Sequence, residues 1–197
     1  MRRVREEVRV KALSAALCSA LFVCCTAIPL SAGGGSPGSV TIGYELYSIK
    51  KMASNQIAVW MEDGSGRYVK TLYATRFTAE GGFRKRPQSL PEWVRVSNWE
   101  NASPSEVDAV SGATQKAGPI ELVWDCTDKS GKPVPAGVYV YKIEGIVSWQ
   151  NRVMWSGRIE IGGARNASNA QAEYFPAGAD RKDLLLEKVR AVYEPAK

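Results

Sequence analysis

Two hydroxyl side chains and one carboxylate lie within the seven residues Asp108-Ala109-Val110-Ser111-Gly112-Ala113-Thr114. A hydroxyl that attacks a pyrophosphate needs an exposed loop with space around it. Gly112 and Ala113 leave such space for another molecule to approach the backbone beside Thr114. Asp108, six residues upstream, could orient the hydroxyl or contact a metal ion that a modifying enzyme brings. The segment therefore has the composition of an open loop that presents a hydroxyl a short distance from a carboxylate.

The chain of 197 residues contains no histidine. This excludes a Ser/His/Asp triad, a Cys/His pair, an imidazole base and the His-containing zinc sites. Three of the four cysteines, Cys18, Cys24 and Cys25, lie in an apolar N-terminal stretch, and Cys126 is the fourth. If that stretch is removed, only Cys126 remains, and a single thiol forms neither an intramolecular disulfide nor a Cys-only metal site. We therefore expect no metal site and no catalytic constellation, and a role other than that of an enzyme.

The heptad resembles the Asp-x-x-(Ser/Thr)-Gly-Ala-(Ser/Thr) acceptor motif of covalently flavinylated extracytoplasmic proteins, such as subunits of sodium-pumping quinone reductases. In those families an FAD:protein FMN transferase joins the phosphate of FMN to the final hydroxyl through a phosphoester bond. The resemblance implies FMN on Thr114, with Asp108, Ser111, Gly112 and Ala113 as the rest of the motif. The alternative is a loop of ordinary composition that carries no flavin.

Other residues near the heptad could assist a flavin. Lys116 and the run Arg84-Lys85-Arg86 could balance the phosphate charge, although such a run is also typical of a solvated surface. Trp93 and Trp99 are candidate stacking faces for an isoalloxazine ring, or else they pack this segment onto the rest of the domain.

These residues lie in a stretch of about forty residues, 79–119, which has little strand pattern. An irregular stretch of that length in a compact domain is usually functional. Ser103-Pro104-Ser105-Glu106 predicts a helix start, with a capping serine, a proline at the first position and a glutamate three residues after the cap. Ser89, ahead of Pro91, is a second candidate cap for a short helix.

The elements on either side read as strands, because apolar residues alternate with polar ones between Gly, Pro and Asp turns. We predict an all-β fold, an Ig-like β-sandwich of about seven strands with a long, partly helical insertion between the third and fourth strands. The predicted strands span 40–49, 56–62, 68–77, 120–125, 138–149, 152–161 and 186–193. The last is ambiguous, because Leu184, Leu185, Val189 and Val192 could equally line one face of a helix. We assign Trp60, Trp124, Trp149 and Trp155 to the core or to sheet surfaces.

Residues 59–72 and 124–141 resemble the Ig-like repeat of flagellar hook-capping proteins and of many secreted bacterial modules. That pattern usually has glycine after Trp-Asp, so Cys126 predicts a less tight bend and is interpreted as a small buried residue. Asp125 and Asp128 are interpreted as turn-forming acids, with calcium ligation as the alternative.

Together with the heptad and the short segments 76–79, 85–87 and 90–93, these motifs resemble the predicted periplasmic family known as domain of unknown function 2271, over residues 40–193. The resemblance implies an exported protein with this fold.

The N-terminus has the pattern of an export signal. A basic head, residues 2–11, precedes the uncharged stretch 12–32. We predict a signal peptide over 1–32 that is cleaved near Ala32, a flexible linker over 33–39 and a domain over 40–197. An uncleaved membrane anchor is the alternative. Without the five basic and two acidic residues of the signal, 21 basic and 18 acidic residues remain, a net charge of +3 that predicts no nucleic-acid partner.

Three functions are compatible with these features. The first is a periplasmic electron carrier that holds FMN on Thr114, is loaded by the transferase and works with a membrane redox partner. The second is a flavin-free binding or assembly module that contacts another protein of the cell envelope. The third is a carbohydrate-binding module, which would need exposed tryptophans.

Overall fold

Alternation of buried and exposed residues builds two sheets that pack face to face. The computed structural model describes residues 37–48, 55–148, 151–177 and 185–197. The strands are β1 Gly38–Leu46, β2 Ile57–Asp63, β3 Tyr68–Thr75, β4 Ser111–Gly112, β5 Gly118–Trp124, β6 Gly137–Ser148, β7 Asn151–Ile161, β8 Asn166–Asn169, β9 Gln171–Phe175 and β10 Leu186–Pro195. One sheet has the order β5-β1-β10-β8, and the other has the order β4-β3-β2-β6-β7-β9. All pairs are antiparallel except β3 with β4.

The main core lies between the two sheets. On β1 the side chains of Val40, Ile42, Tyr44 and Leu46 point into it, as the two-residue period of a strand requires. Trp124 at the end of β5 is fully buried there, with its ring centroid 5.1 Å from that of Tyr139. The predicted β-sandwich is thus confirmed.

A second apolar cluster covers the opposite face of the six-stranded sheet. Alternate residues of β2, Ala58 and Trp60, point away from the sandwich core and pack against the insertion. The insertion consists of helix α1 Arg76–Ala79, a 3₁₀ turn at Gly82–Arg84, helix α2 Pro91–Ser97, a 3₁₀ turn at Trp99–Asn101 and helix α3 Pro104–Val110. The six-stranded sheet is therefore covered on both faces, by the second sheet on one and by the helical insertion on the other.

Two turns of the same type connect strands of the sandwich. In the first, Asp63 accepts hydrogen bonds from Ser65 and from the backbone amide of Arg67, and in the second Asp128 accepts the equivalent bonds from Ser130 and Lys132. These hydrogen bonds hold the pKa of both aspartates below the ordinary value. Asp125 is engaged in a similar way by Lys70 and Thr127. The turn interpretation describes these acids, because each accepts hydrogen bonds from residues of its own turn. Within the described residues there is no cluster of three or more His, Cys, Asp or Glu side chains that could hold a metal ion.

Several predicted elements need correction. The third strand ends at Thr75 rather than at residue 77, because Arg76 and Phe77 begin α1. The described residues contain ten strands rather than about seven, since β4, β8 and β9 were not predicted. The last segment is strand β10 and not a helix, and it pairs with β1 on one side and β8 on the other. Leu184, Trp149 and the predicted signal peptide lie outside the described residues.

Cys126 takes a left-handed backbone conformation, with φ of 54°, and its side chain is fully buried. Cys126 thus adopts a backbone conformation that glycine favours, although it carries a Cβ, and the loosening of the bend stays a prediction. Its burial, the other part of the prediction, is confirmed. Burial raises the pKa of the Cys126 thiol to about 12.

The buried thiol leads to a labelling prediction. At pH 8 we expect Cys126 in the folded protein to react with iodoacetamide roughly a thousandfold more slowly than in denaturant, because the thiolate is the reactive form. The measurement is mass spectrometry of the tryptic peptide spanning residues 117–129, which contains no other cysteine. Equal labelling rates in the two conditions would contradict the buried position.

Candidate functional site

The heptad 108–114 spans the end of α3 and the loop that follows it. The helix begins at a capping box, in which the Ser103 side chain accepts from the Glu106 amide and the Glu106 carboxylate accepts from the Ser103 amide, as predicted. The helix ends at Val110, and Ser111 and Gly112 then pair with Ala74 and Thr75 at the end of β3. Short parallel pairing therefore sets the direction in which the chain leaves the helix.

Thr114 is exposed, and both of its neighbours are held by buried tyrosines. The phenol of Tyr73 donates to the Ala113 carbonyl at 2.8 Å, and the phenol of Tyr44 donates to the Gln115 side-chain oxygen at 2.5 Å. Burial raises the pKa of both phenols, so each stays protonated and keeps donating. The Thr114 hydroxyl thus lies in a loop that is fixed on either side.

Gly112 is required by its contact with Tyr73. A Cβ at this position would lie 2.4 Å from Cε2 of the Tyr73 ring. The glycine of the heptad therefore lets β4 pack directly on the tyrosine that anchors Ala113. Ser111 is half-buried, and Ala113 and Lys116 are exposed.

The structure brings Asp108 and Arg84 of the basic run into the lining of one hollow. Asp108 is exposed on α3, where it lines a hollow of about 280 Å³ together with Arg84; Thr114 does not line this hollow. The guanidinium of Arg84 lies 4.9 Å from the Phe83 ring centroid, and that of Arg86 lies 5.0 Å from the Phe77 centroid. The structure thus groups Asp108 with Arg84 and engages both arginines with aromatic rings of the insertion.

Trp93 and Trp99 pack the insertion onto the six-stranded sheet. Their ring centroids are 4.6 Å apart, and their exposed fractions are 0% and 5%. The Trp93 indole donates to the Thr71 hydroxyl, and the Trp99 indole donates to the Ala79 carbonyl, both at 2.9 Å. Of the two predicted roles, packing of the insertion onto the domain therefore describes both tryptophans. Neither has an open ring face for stacking.

A family model described as predicted periplasmic protein (DUF2271) matches residues 39–175. The chain belongs to this family. The match spans the heptad 108–114, the whole insertion and the strands up to β9 of the DUF2271 domain. The family description supports the periplasmic location that the N-terminal pattern predicts. No curated protein and no solved structure matches the chain, and in the part that the structure describes no helix is long and apolar enough to span a membrane.

One residue of the DUF2271 domain that the sequence did not single out is Glu144 on β6, which is fully buried. Its carboxylate accepts from the amides of Glu92 and Trp93, at 3.4 and 2.9 Å, and from the Arg152 guanidinium at 2.8 Å. Burial raises the pKa of Glu144, while the two amides and Arg152 oppose that shift. Glu144 therefore caps the N-terminus of α2 from a neighbouring strand and ties the insertion to the sheet.

The predicted cap at Ser89 is wrong, although the helix it was expected to start is present. The residue before the helix is Leu90, which has a left-handed conformation and no capping side chain. Ser89 is fully buried, and its hydroxyl hydrogen-bonds the Thr78 hydroxyl at 3.0 Å.

The sequence did carry a signal for Glu144, which is a charged residue on an outward-facing position of a predicted strand. Such a position is typical of a solvated side chain, so the signal does not distinguish Glu144 from a surface residue.

Proposed function

We propose that this DUF2271 protein is a periplasmic electron carrier that holds FMN on Thr114 through a phosphoester bond. The observation that carries the proposal is the presentation of Thr114. Its hydroxyl belongs to an exposed residue whose two neighbours are anchored by Tyr73 and Tyr44. A fixed and open hydroxyl is what an enzyme that modifies this chain from outside needs.

The attachment reaction balances in atoms when FAD is the co-substrate. The Thr114 oxygen attacks the phosphorus of the FMN half of FAD, so that a new oxygen–phosphorus bond forms and the pyrophosphate bond breaks. AMP leaves, and the hydroxyl proton is lost. The FAD:protein FMN transferase supplies the catalytic groups, which accords with the absence of histidine from this chain.

The sandwich acts as a rigid mount for the flavin. When bound, the flavin accepts and donates electrons, and the protein sets its position and surroundings. A membrane redox protein is the partner class for such a carrier in the periplasm. The carbohydrate-binding alternative needs exposed tryptophans, and none of the five tryptophans in the described residues is exposed.

The test is the mass of the exported protein, produced with an active FAD:protein FMN transferase or with an inactive one. We expect one added FMN, less one water, only with the active enzyme. The tryptic peptide spanning residues 96–116 should carry the flavin, and Thr114 is its only threonine. An unmodified mass with a transferase that flavinylates a known substrate in the same cells would overturn the proposal and favour a flavin-free envelope module.

A further inference from the structure

A groove of about 720 Å³ lies on the face of the six-stranded sheet that is turned away from the main core. Residues of β6, β7 and β9 line it, and the turn between β2 and β3 borders it. Small-ligand sites occupy about 300–1,000 Å³. Among the described residues that line the groove there is no aromatic side chain, no residue of the helical insertion and no Thr114. The groove is therefore separate from the proposed flavin site and offers no ring for stacking.

Four charged side chains line the groove, and two of them pair with each other. Glu62, which is 3% exposed, accepts from the Trp60 indole at 2.8 Å and pairs with Lys142 at 3.0 Å. The other two, Arg158 and Glu173, are exposed, and neither side chain forms a hydrogen bond or an ion pair with another described residue. The groove thus presents one open cation and one open carboxylate, and its lining has no net charge.

Strand pairing sets the distance between the two open charges. Arg158 and Met154 lie on the same face of β7, four residues apart, and Glu173 on β9 is directly opposite Met154. At about 3.3 Å per residue along a strand and about 4.8 Å between strands, the Cα atoms of Arg158 and Glu173 are roughly 14 Å apart. An extended peptide advances by about 3.3–3.6 Å per residue, so the amine and the carboxylate of a chain of about four residues have a similar separation.

Between the open charges, the groove contains groups that match a peptide backbone. Ser156 on β7 is directly opposite Gln171 on β9 and directly opposite Lys142 on β6. The hydroxyl and the amide both donate and accept, and the ammonium of Lys142 has N–H groups besides the one directed at Glu62. This row of side chains can therefore hydrogen-bond the N–H and C=O groups of a peptide, which would lose hydrogen bonds to water on an apolar surface.

We propose that the groove binds a short zwitterionic peptide of about four residues, a function separate from flavin attachment. The Arg158 guanidinium donates to the terminal carboxylate, and the Glu173 carboxylate accepts from the terminal ammonium. Ser156, Gln171 and Lys142 hydrogen-bond the peptide groups between the two ends. A longer extended chain cannot place both of its ends on Arg158 and Glu173 together, so the site selects for length.

The probe is tetra-alanine, compared with its acetylated form, which lacks the ammonium, and with its C-terminal amide, which lacks the carboxylate. Binding to the exported protein is measured by calorimetry and by the NMR shift of the Gln171 side-chain amide. We expect tetra-alanine to bind with a Kd below about 1 mM. Each blocked peptide should bind about tenfold more weakly, because one charge-assisted hydrogen-bonded end is lost.

Two variants assign each end of the peptide to its partner. Arg158→Gln should weaken tetra-alanine about tenfold and leave the binding of the peptide amide unchanged. Glu173→Gln should weaken tetra-alanine to a similar degree and leave the binding of the acetylated peptide unchanged. Arg190→Gln and Glu160→Gln are the matched controls, because both residues are exposed on strands of the sandwich and do not line the groove. Both controls should bind all three peptides like the parent.

Two results would overturn the inference. One is that tetra-alanine at about 10 mM causes no shift of the Gln171 amide and no heat of binding. The other is that the blocked peptides bind as tightly as tetra-alanine, or that the groove variants bind like the controls. Either result would leave the proposed flavin function standing, because that function depends on Thr114 and not on this groove.

Discussion

Thr114→Ala is expected to abolish flavin attachment completely, because no other atom of this residue can form the phosphoester. Thr114 is exposed, so the free energy of unfolding should change by no more than about 0.5 kcal/mol. The measurement is intact mass after coexpression with the transferase, together with urea unfolding of the same preparations. A loss of flavin with unchanged stability assigns the effect to the hydroxyl and not to the fold.

Two controls sharpen this result. Thr114→Ser retains a hydroxyl in the same anchored loop and should still accept the flavin. Ser105→Ala removes an exposed hydroxyl from the same insertion and should leave attachment unchanged. A flavin that persists in Thr114→Ala would identify another acceptor, with Ser111 the nearest hydroxyl in the heptad, and would refute the assignment to Thr114.

The sequence predicts those elements whose local residue pattern matches the surroundings of the element in the fold. Residues 186–195 form a strand because the alternating positions Leu186, Val189, Ala191 and Tyr193 face the core, with one irregular step near Lys188. The helix at Pro104–Val110 was predictable because its capping box satisfies the first amides within four residues of sequence.

Two of the strands that the sequence analysis missed, β8 and β9, lack the alternation of apolar and polar residues by which strands are recognised. Asn166–Asn169 and Gln171–Phe175 are short and largely polar or exposed, and β9 lies at the edge of its sheet. Their pairing with β10 and β7 depends on backbone hydrogen bonds and not on an apolar face. Nothing in the local composition separates such segments from loops.

The candidate site likewise has parts that the sequence predicts and parts that it does not. The exposure of Thr114 could be predicted from the small residues beside it, whereas its anchors could not. Tyr44 and Tyr73 come from β1 and β3, and each reads in sequence as an ordinary core residue of a strand. Their role depends on the path by which the insertion returns to the sheet, and that path is a property of the tertiary structure.

Glu144→Ala is expected to lower the free energy of unfolding by about 3–5 kcal/mol, because it breaks a buried ion pair and leaves the partner charge uncompensated. It also removes the acceptor for two amides at the start of α2. The measurements are urea unfolding and hydrogen exchange of the amides in residues 91–97. We expect exchange there to accelerate more than in the sandwich strands, since the main core does not depend on Glu144.

Glu62→Ala is the matched control. Glu62 is a buried carboxylate on the same face of the sheet, and it pairs with Lys142 at 3.0 Å. It too should cost stability, but α2 should keep its protection because Glu62 accepts no helix amide among the hydrogen bonds that involve it in the described residues. Equal protection of residues 91–97 in the two variants would contradict the capping role of Glu144. Arg152→Ala, alone and combined with Glu144→Ala, separates the cost of the unpaired guanidinium from that of the lost cap.

Glu144→Ala also tests whether stability and flavin attachment are separable in this domain. Glu144 fixes α2, whereas the acceptor loop is held by Tyr73 and Tyr44 from the strands beneath it. Glu144→Ala should therefore still acquire flavin at a temperature where it remains folded, although its insertion is looser. Loss of attachment at that temperature would mean that α2 supports the loop or the docked transferase. Retained attachment would locate the acceptor geometry in β1, β3 and β4 and assign to the buried carboxylate a structural role alone.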